Sequence, residues 1–183
     1  MGSWSGRNNT TGEYNTFIGP LAGCCNTTGC NNIFAGYCAG ASTFGLVSIT
    51  TESDRIVMGN CLHTCAQIKI GWTTVSDARD KCIFGPVPMG RGFLNKVEPI
   101  EFSFKDRETG CLTDPEGKRR YGFSAQQVLE VEGDNPVIVS NDNPDKLQMT
   151  NDYMIPVLVN GFKELSAEVD ELRAEIELLK ANK

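Results

Sequence analysis

Near the end of the sequence, Ile155, Leu158, Phe162, Leu165, Val169, Leu172, Ile176 and Leu179 stand alternately three and four positions apart. That interval is the a/d seam of a coiled coil and predicts one long helix with a continuous apolar edge. With Ile155 at a, Glu168 with Arg173 and Glu175 with Lys180 take g and following e positions. Two parallel helices in register exchange ion pairs at that spacing. An amphipathic helix laid on its own domain is the alternative, but the strict 3.5-residue period and the flanking charges favour self-association. Ile and Val at a with Leu at d lean towards two strands by the usual rule, so the seam alone does not set the number of chains.

The opposite end has another grammar. "TGEYNTFIGPLAG" (Thr11–Gly23) aligns with "TGCNNIFAGYCAG" (Thr28–Gly40) at a constant offset of 17, pairing Gly12 with Gly29, Asn15 with Asn32, Gly19 with Gly36, Ala22 with Ala39 and Gly23 with Gly40. A fixed period rich in Gly, Asn and Thr predicts short stacked strands and tight turns over residues 1–45, rather than a helix or a flexible tail. Two copies do not bury a core, since a solenoid needs about three. The copies therefore cap a longer array or find their neighbours in other chains.

Between these ends, "DRIVMGN" and "AQIKIGWTTV" read as short strands. "CLHTC" puts Cys61, His63 and Cys65 on one strand face. Thiolate and imidazole are soft-metal ligands, but one chain lacks a fourth, so a strand face carrying one polar aromatic is expected, with no metal and no cofactor. From residue 76 to about 150 the pattern is that of a small α+β module. "VEPIEFSFKD" alternates like a half-buried strand, "ETGCLTDPEGKRRYGF" is punctuated like a hairpin region, and "SAQQVLEVE" reads as a short helix with Ser124 at its N-cap.

Composition narrows the function. A net charge of −6 disfavours a general nucleic-acid binder. No basic-then-apolar start and no run of about 18 apolar residues is found, so neither a secretory signal nor a membrane-spanning segment is expected. The eight cysteines (Cys24, Cys25, Cys30, Cys38, Cys61, Cys65, Cys82, Cys111) form no paired C-x-x-C knuckles. They read as small buried residues in a reducing compartment, with disulfides as the alternative.

At the junction of the two grammars stands "TTVSDARDKCIFGPVP" (Thr73–Pro88), with Ser76 and Lys81 five residues apart. Five residues separates two side chains on a helix and sets them on opposite faces of a strand. If the two act together, the backbone turns between them.

Taken in order, "SDARDK", "YGFSAQQV" (Tyr121–Val128) and "DYMIPVLVNGFKEL" resemble three signatures of one family. It is the C-terminal intramolecular chaperone of phage tail spikes, endosialidases and tail fibres, found also in myelin regulatory factor proteins. The resemblance runs from about Gly71 through the heptads. It implies a homotrimer that guides folding of an upstream trimeric fibre and then cuts itself free. The family's catalytic serine and lysine fall on Ser76 and Lys81, and the cut between Val75 and Ser76. The segment before it looks, more loosely, like the triple-stranded β-structure of phage fibres. Gln127 departs from the family, which often has glutamate there, and slower cleavage is one expected consequence.

The expected architecture is thus α+β: a β-repeat fibre segment (1–75), a chaperone and autoprotease module (76–152) and a coiled-coil helix (153–183). A serine hydroxyl needs a base to take its proton. A lysine serves only where burial or a cationic neighbour brings its pKa from about 10.4 towards 7–8. Arg79 is the expected cationic neighbour, and Asp77 opposes it unless turned aside to cap the turn. The expected partners are further copies of the chain and, through the fibre segment, a host cell-surface receptor or glycan. No nucleic acid and no membrane insertion are expected. The expected location is the virion, after assembly in the host cytoplasm. A fibre tip or adhesin that is never cut is the alternative, as is a metal- or disulfide-stapled binding module.

Overall fold

The computed structural model describes residues 2–41, 47–114 and 116–182. The last residues of the expected repeat segment (42–45), Pro115 of the hairpin region, and the terminal Met1 and Lys183 lie outside the described residues. The chain is α+β and forms two compact units, Met1–Trp72 and Thr73–Lys183.

The first unit is a stack of chain turns. β1 (Thr16–Ile18), β2 (Ile33–Ala35) and β3 (Ile56–Met58) form a parallel sheet in the order β1-β2-β3. Thr16 lies against Ile33 and Ile33 against Ile56, so the first step is 17 residues and the second 23. The missing third neighbour is therefore supplied by the same chain, in "TESDRIVMG" (Thr51–Gly59). Six extra residues hide it from a fixed-offset alignment.

Equivalent side chains stack along this unit. Phe17 lies on Phe34 with ring centroids 5.3 Å apart, and Val57 continues the buried column with Ala22, Ala39 and Ile49. Asparagines bind the turns to one another: Asn32 N–H donates to Asn15 Oδ1 (2.9 Å), and Arg55 N–H donates to Asn32 Oδ1 (3.0 Å). The Asn32 amide also donates to the Glu52 carbonyl at 2.9 Å. Each amide thus satisfies backbone groups that a turning chain would otherwise strand. Gly40 is required where it stands, at φ +71° with a Cβ position only 2.8 Å from the Phe34 ring.

Two expected strands do not form. "AQIKIGWTTV" has the alternation of a strand but no strand partner among the described residues, and it is exposed throughout. "CLHTC" is a turn followed by irregular chain. His63 Nδ1 accepts a hydrogen bond from Asn60 N–H at 3.0 Å, while Cys61 and Cys65 are exposed. Among the described residues no group of three or more His, Cys, Asp or Glu side chains is placed to hold a metal. No disulfide joins any of the eight cysteines, and only Cys24 and Cys38 are buried.

The second unit builds its core from short elements. α1 (Arg91–Leu94), the antiparallel pair β4 (Ile100–Phe102) and β5 (Arg120–Gly122), α2 (Ala125–Glu132) and the pair β6 (Val139–Ser140) and β7 (Gln148–Met149) precede α3 (Met154–Ala181). Phe93, Val97, Val128, Ile138, Val139, Met154 and Val157 close the core. Ser124 does stand at the N-cap of α2, in extended conformation, but its hydroxyl donates to Gln126 Oε1 and caps no backbone N–H. No helix among the described residues is long and apolar enough to cross a membrane.

α3 is 28 residues long. Pro156 sits in its first turn, where a missing N–H costs no intrahelical bond. Only Met154, Val157 and Gly161 of the helix are buried. Gly161 lets α1 approach, since a Cβ there would lie 3.1 Å from Arg91 N and 3.3 Å from Gly90 C. Glu164 in turn accepts from Arg91 N–H at 2.7 Å. The eight seam residues point elsewhere, and every one is exposed, from Val169 at 37% to Phe162 at 71%. Of the expected interhelical ion pairs, Glu168 instead pairs with Arg91 of its own chain. Arg173 and Lys180 meet Asp170 and Glu177 one turn earlier.

Candidate active site

The chain from Gly71 to Val75 is exposed and without regular structure, and Val75 is 81% exposed. It then turns. Asp77 takes an extended conformation and its carboxylate accepts from Arg79 N–H at 2.9 Å, opening a single 3-10 turn over Ala78–Asp80. Asp80 N–H donates to Asp77 O and Lys81 N–H to Ala78 O, both at 3.2 Å. A 3-10 turn completes its circle in three residues with a rise of about 2 Å each. It therefore returns Lys81 to the side from which Ser76 departs. Lys81 Nζ donates to Ser76 Oγ at 2.6 Å. The five-residue interval is the span of this turn.

Arg79 does not face the lysine. Its guanidinium closes on Asp77, with Nη2 to Oδ2 at 2.6 Å and Nε to both carboxylate oxygens at 3.1 Å. That contact holds the Asp77 carboxyl below the usual carboxylate range and raises the affinity of the guanidinium for its own proton. Asp77 is turned aside as a cap, and the cationic field expected from Arg79 is neutralised beside it.

Ser76 and Lys81 are both exposed. A charged ammonium has three donors and no acceptor. The observed contact orients the pair, and removal of the serine proton requires the amine in its neutral form. Sequence reading overlooked the bare apolar pair that follows the turn, Ile83 (75% exposed) and Phe84 (98%). The signal was present in "CIFGP", an apolar pair directly before turn residues.

Residues 76–138 match the family described as chaperone of endosialidase. That stretch is similar to the family's chaperone domain. The match opens on Ser76 itself and runs through α1, β4, β5 and α2 to Ile138, about a third of the chain. The family is labelled a peptidase as well as a chaperone. No curated protein and no solved structure gives a significant match. The stacked turns of the first unit and the heptads of α3 lie on either side of the matched chaperone domain.

Proposed function

We propose that this chain is part of a phage-type tail fibre or spike whose chaperone domain assembles three copies, guides folding of residues 1–75, and then releases them by self-cleavage between Val75 and Ser76. The observation that carries the reading is the 2.6 Å contact between Lys81 Nζ and Ser76 Oγ, on a turn that directly follows an exposed Val75. In the reaction, neutral Lys81 takes the proton of Ser76 Oγ, which attacks the carbonyl carbon of Val75. The Val75–Ser76 C–N bond breaks, the Ser76 nitrogen takes up a proton, and the Val75 acyl group is left as an ester on Oγ. Water hydrolyses that ester, giving a Val75 carboxylate and a chain that begins at Ser76. Nucleophile and target lie on one chain, so folding supplies the proximity that an ordinary peptidase gains by binding substrate.

Exposure of the pair gives the assembly a part in the chemistry. Copies packed over Val75, Ile83 and Phe84 would exclude water from the turn and favour the neutral amine. Cleavage then follows assembly and reports on it. Stacked turns depend on contacts between residues 17 and 23 apart, whereas a coiled coil forms from local ones, so a helix-led assembly nucleates the slower structure. A role in binding a host receptor or glycan belongs to the fibre segment and to this same reading.

The Lys81→Ala chain tests the proposal. It should reach the same native mass as the wild type by light scattering, while its cut is slowed by at least ~10²-fold, the usual worth of a general base. A Lys81→Ala chain cut at the wild-type rate would overturn the assignment of the base. Uncut chains in both proteins, at a trimeric native mass, would favour a permanent fibre tip.

A further inference from the structure

The sheet of the first unit has two faces. Strand alternation turns Phe17, Phe34 and Val57 inward. It turns Thr16, Ile18, Ile33, Ala35, Ile56 and Met58 outward. Ile18, Ile33, Ile56 and Met58 are 57%, 41%, 67% and 59% exposed. Register places Ile33 directly beside Ile56, and Ala35 between Ile18 and Met58. The outward face is therefore one apolar patch across three strands without a charged residue. Parallel sheets are almost always covered on both faces, and a contiguous bare patch of this kind marks an interaction surface.

We propose that this face is covered by the same face of other copies of the chain. The inference rests on the reading that α3 assembles copies, and two arguments select the occupant. The seam residues Ile155 to Leu179 are equally bare, and heptads joined in parallel and in register bring equivalent residues of each copy to one height. Cyclic symmetry then sets this face of every copy at the same distance from the common axis. The patch is six side chains on three-residue strands, too few to hold two chains alone, since stable interfaces engage about 20–30 residues a side. Tethered by α3, it need not: the second contact becomes intramolecular, at an effective concentration in the millimolar range. After a cut at Val75–Ser76, this face would hold residues 1–75 of the copies together.

The test uses the Ser76→Ala chain, so that the first unit stays attached, with the photo-crosslinking amino acid p-benzoylphenylalanine replacing Ile33 or, as a control outside the strands, Glu13. Native mass is read before irradiation, and covalent multimers and their linked peptides after it. The proposal expects an oligomeric native mass and a yield from position 33 about tenfold or more above that from position 13. The linked peptides should lie within residues 16–58 of another copy. An oligomer in which position 33 yields no more than position 13 overturns this interface and leaves assembly through α3 standing. A native mass of one chain overturns both.

Discussion

Tyr14, Asn31 and Asp54 occupy the same corner in three successive turns of the stack, with φ of 59°, 56° and 63°. Asparagine and aspartate tolerate the left-handed region, and Asn31 Nδ2 donates to Asp54 Oδ1 at 2.7 Å. Tyrosine is poorly suited to it, and Tyr14 is 83% exposed, so little packing offsets the strain. Tyr14→Asn should therefore stabilise the protein by about 1 kcal/mol in thermal unfolding. Asn32 is the opposite case. It is fully buried, and Asn32→Ala would strand Arg55 N–H and the Glu52 carbonyl. A loss of about 1–3 kcal/mol is expected in urea denaturation, from two unmade part-buried hydrogen bonds. At the turn of the candidate active site, the carboxyl of Asp77 is held below its ordinary value of 3.8 by Arg79. A depressed carboxylate keeps its contribution above the ordinary value and loses it as pH falls through the depressed one. An NMR titration of the Asp77 carboxyl carbon should give a midpoint below 3.8, moving up in Arg79→Ala; a midpoint unchanged by the substitution would show that the cap is not formed.

At the scale of elements, periodicity was the legible part and partnership was not. The heptads announce α3 and the 17-residue offset announces β1 and β2, because both are local patterns repeated. The third turn of the stack escaped because its step is six residues longer and because Glu52 replaces the glycine of the first two copies. "AQIKIGWTTV" has strand alternation, yet a strand exists only where another pairs with it. The Ser76–Lys81 interval was legible only as a demand for a turn. The turn itself depends on Asp77 capping Arg79 N–H, and the guanidinium returns to the same carboxylate. Gly161, an unfavourable residue inside a helix, makes sense only once α1 is seen against it. Gly161→Ala should cost about 1–3 kcal/mol in urea denaturation through overpacking against Arg91 and Leu94. Leu172→Lys leaves that contact alone and acts on the seam. It should reduce the native mass to that of one 20.0 kDa chain and lower the helical circular dichroism. Beyond Val169 all of α3 is exposed, and such a helix is marginal alone.

For the whole molecule, the two units present complementary problems. The first has its core in asparagine and phenylalanine stacks and needs its turns set in register. The second has a compact core of its own and carries a long helix with an unpaired apolar edge. The proposed scission point lies at their junction, three residues past the first unit, where the chaperone-family match begins. By this reading the protein itself opens the bond at that junction. Intact-mass spectrometry of freshly folded wild type and Ser76→Ala, followed over hours, tests it directly. Wild type should give two species of 75 and 108 residues, the larger beginning Ser76-Asp77-Ala78, and Ser76→Ala one intact 183-residue chain. An intact wild-type chain of trimeric native mass, or equal cutting of both proteins, would contradict it.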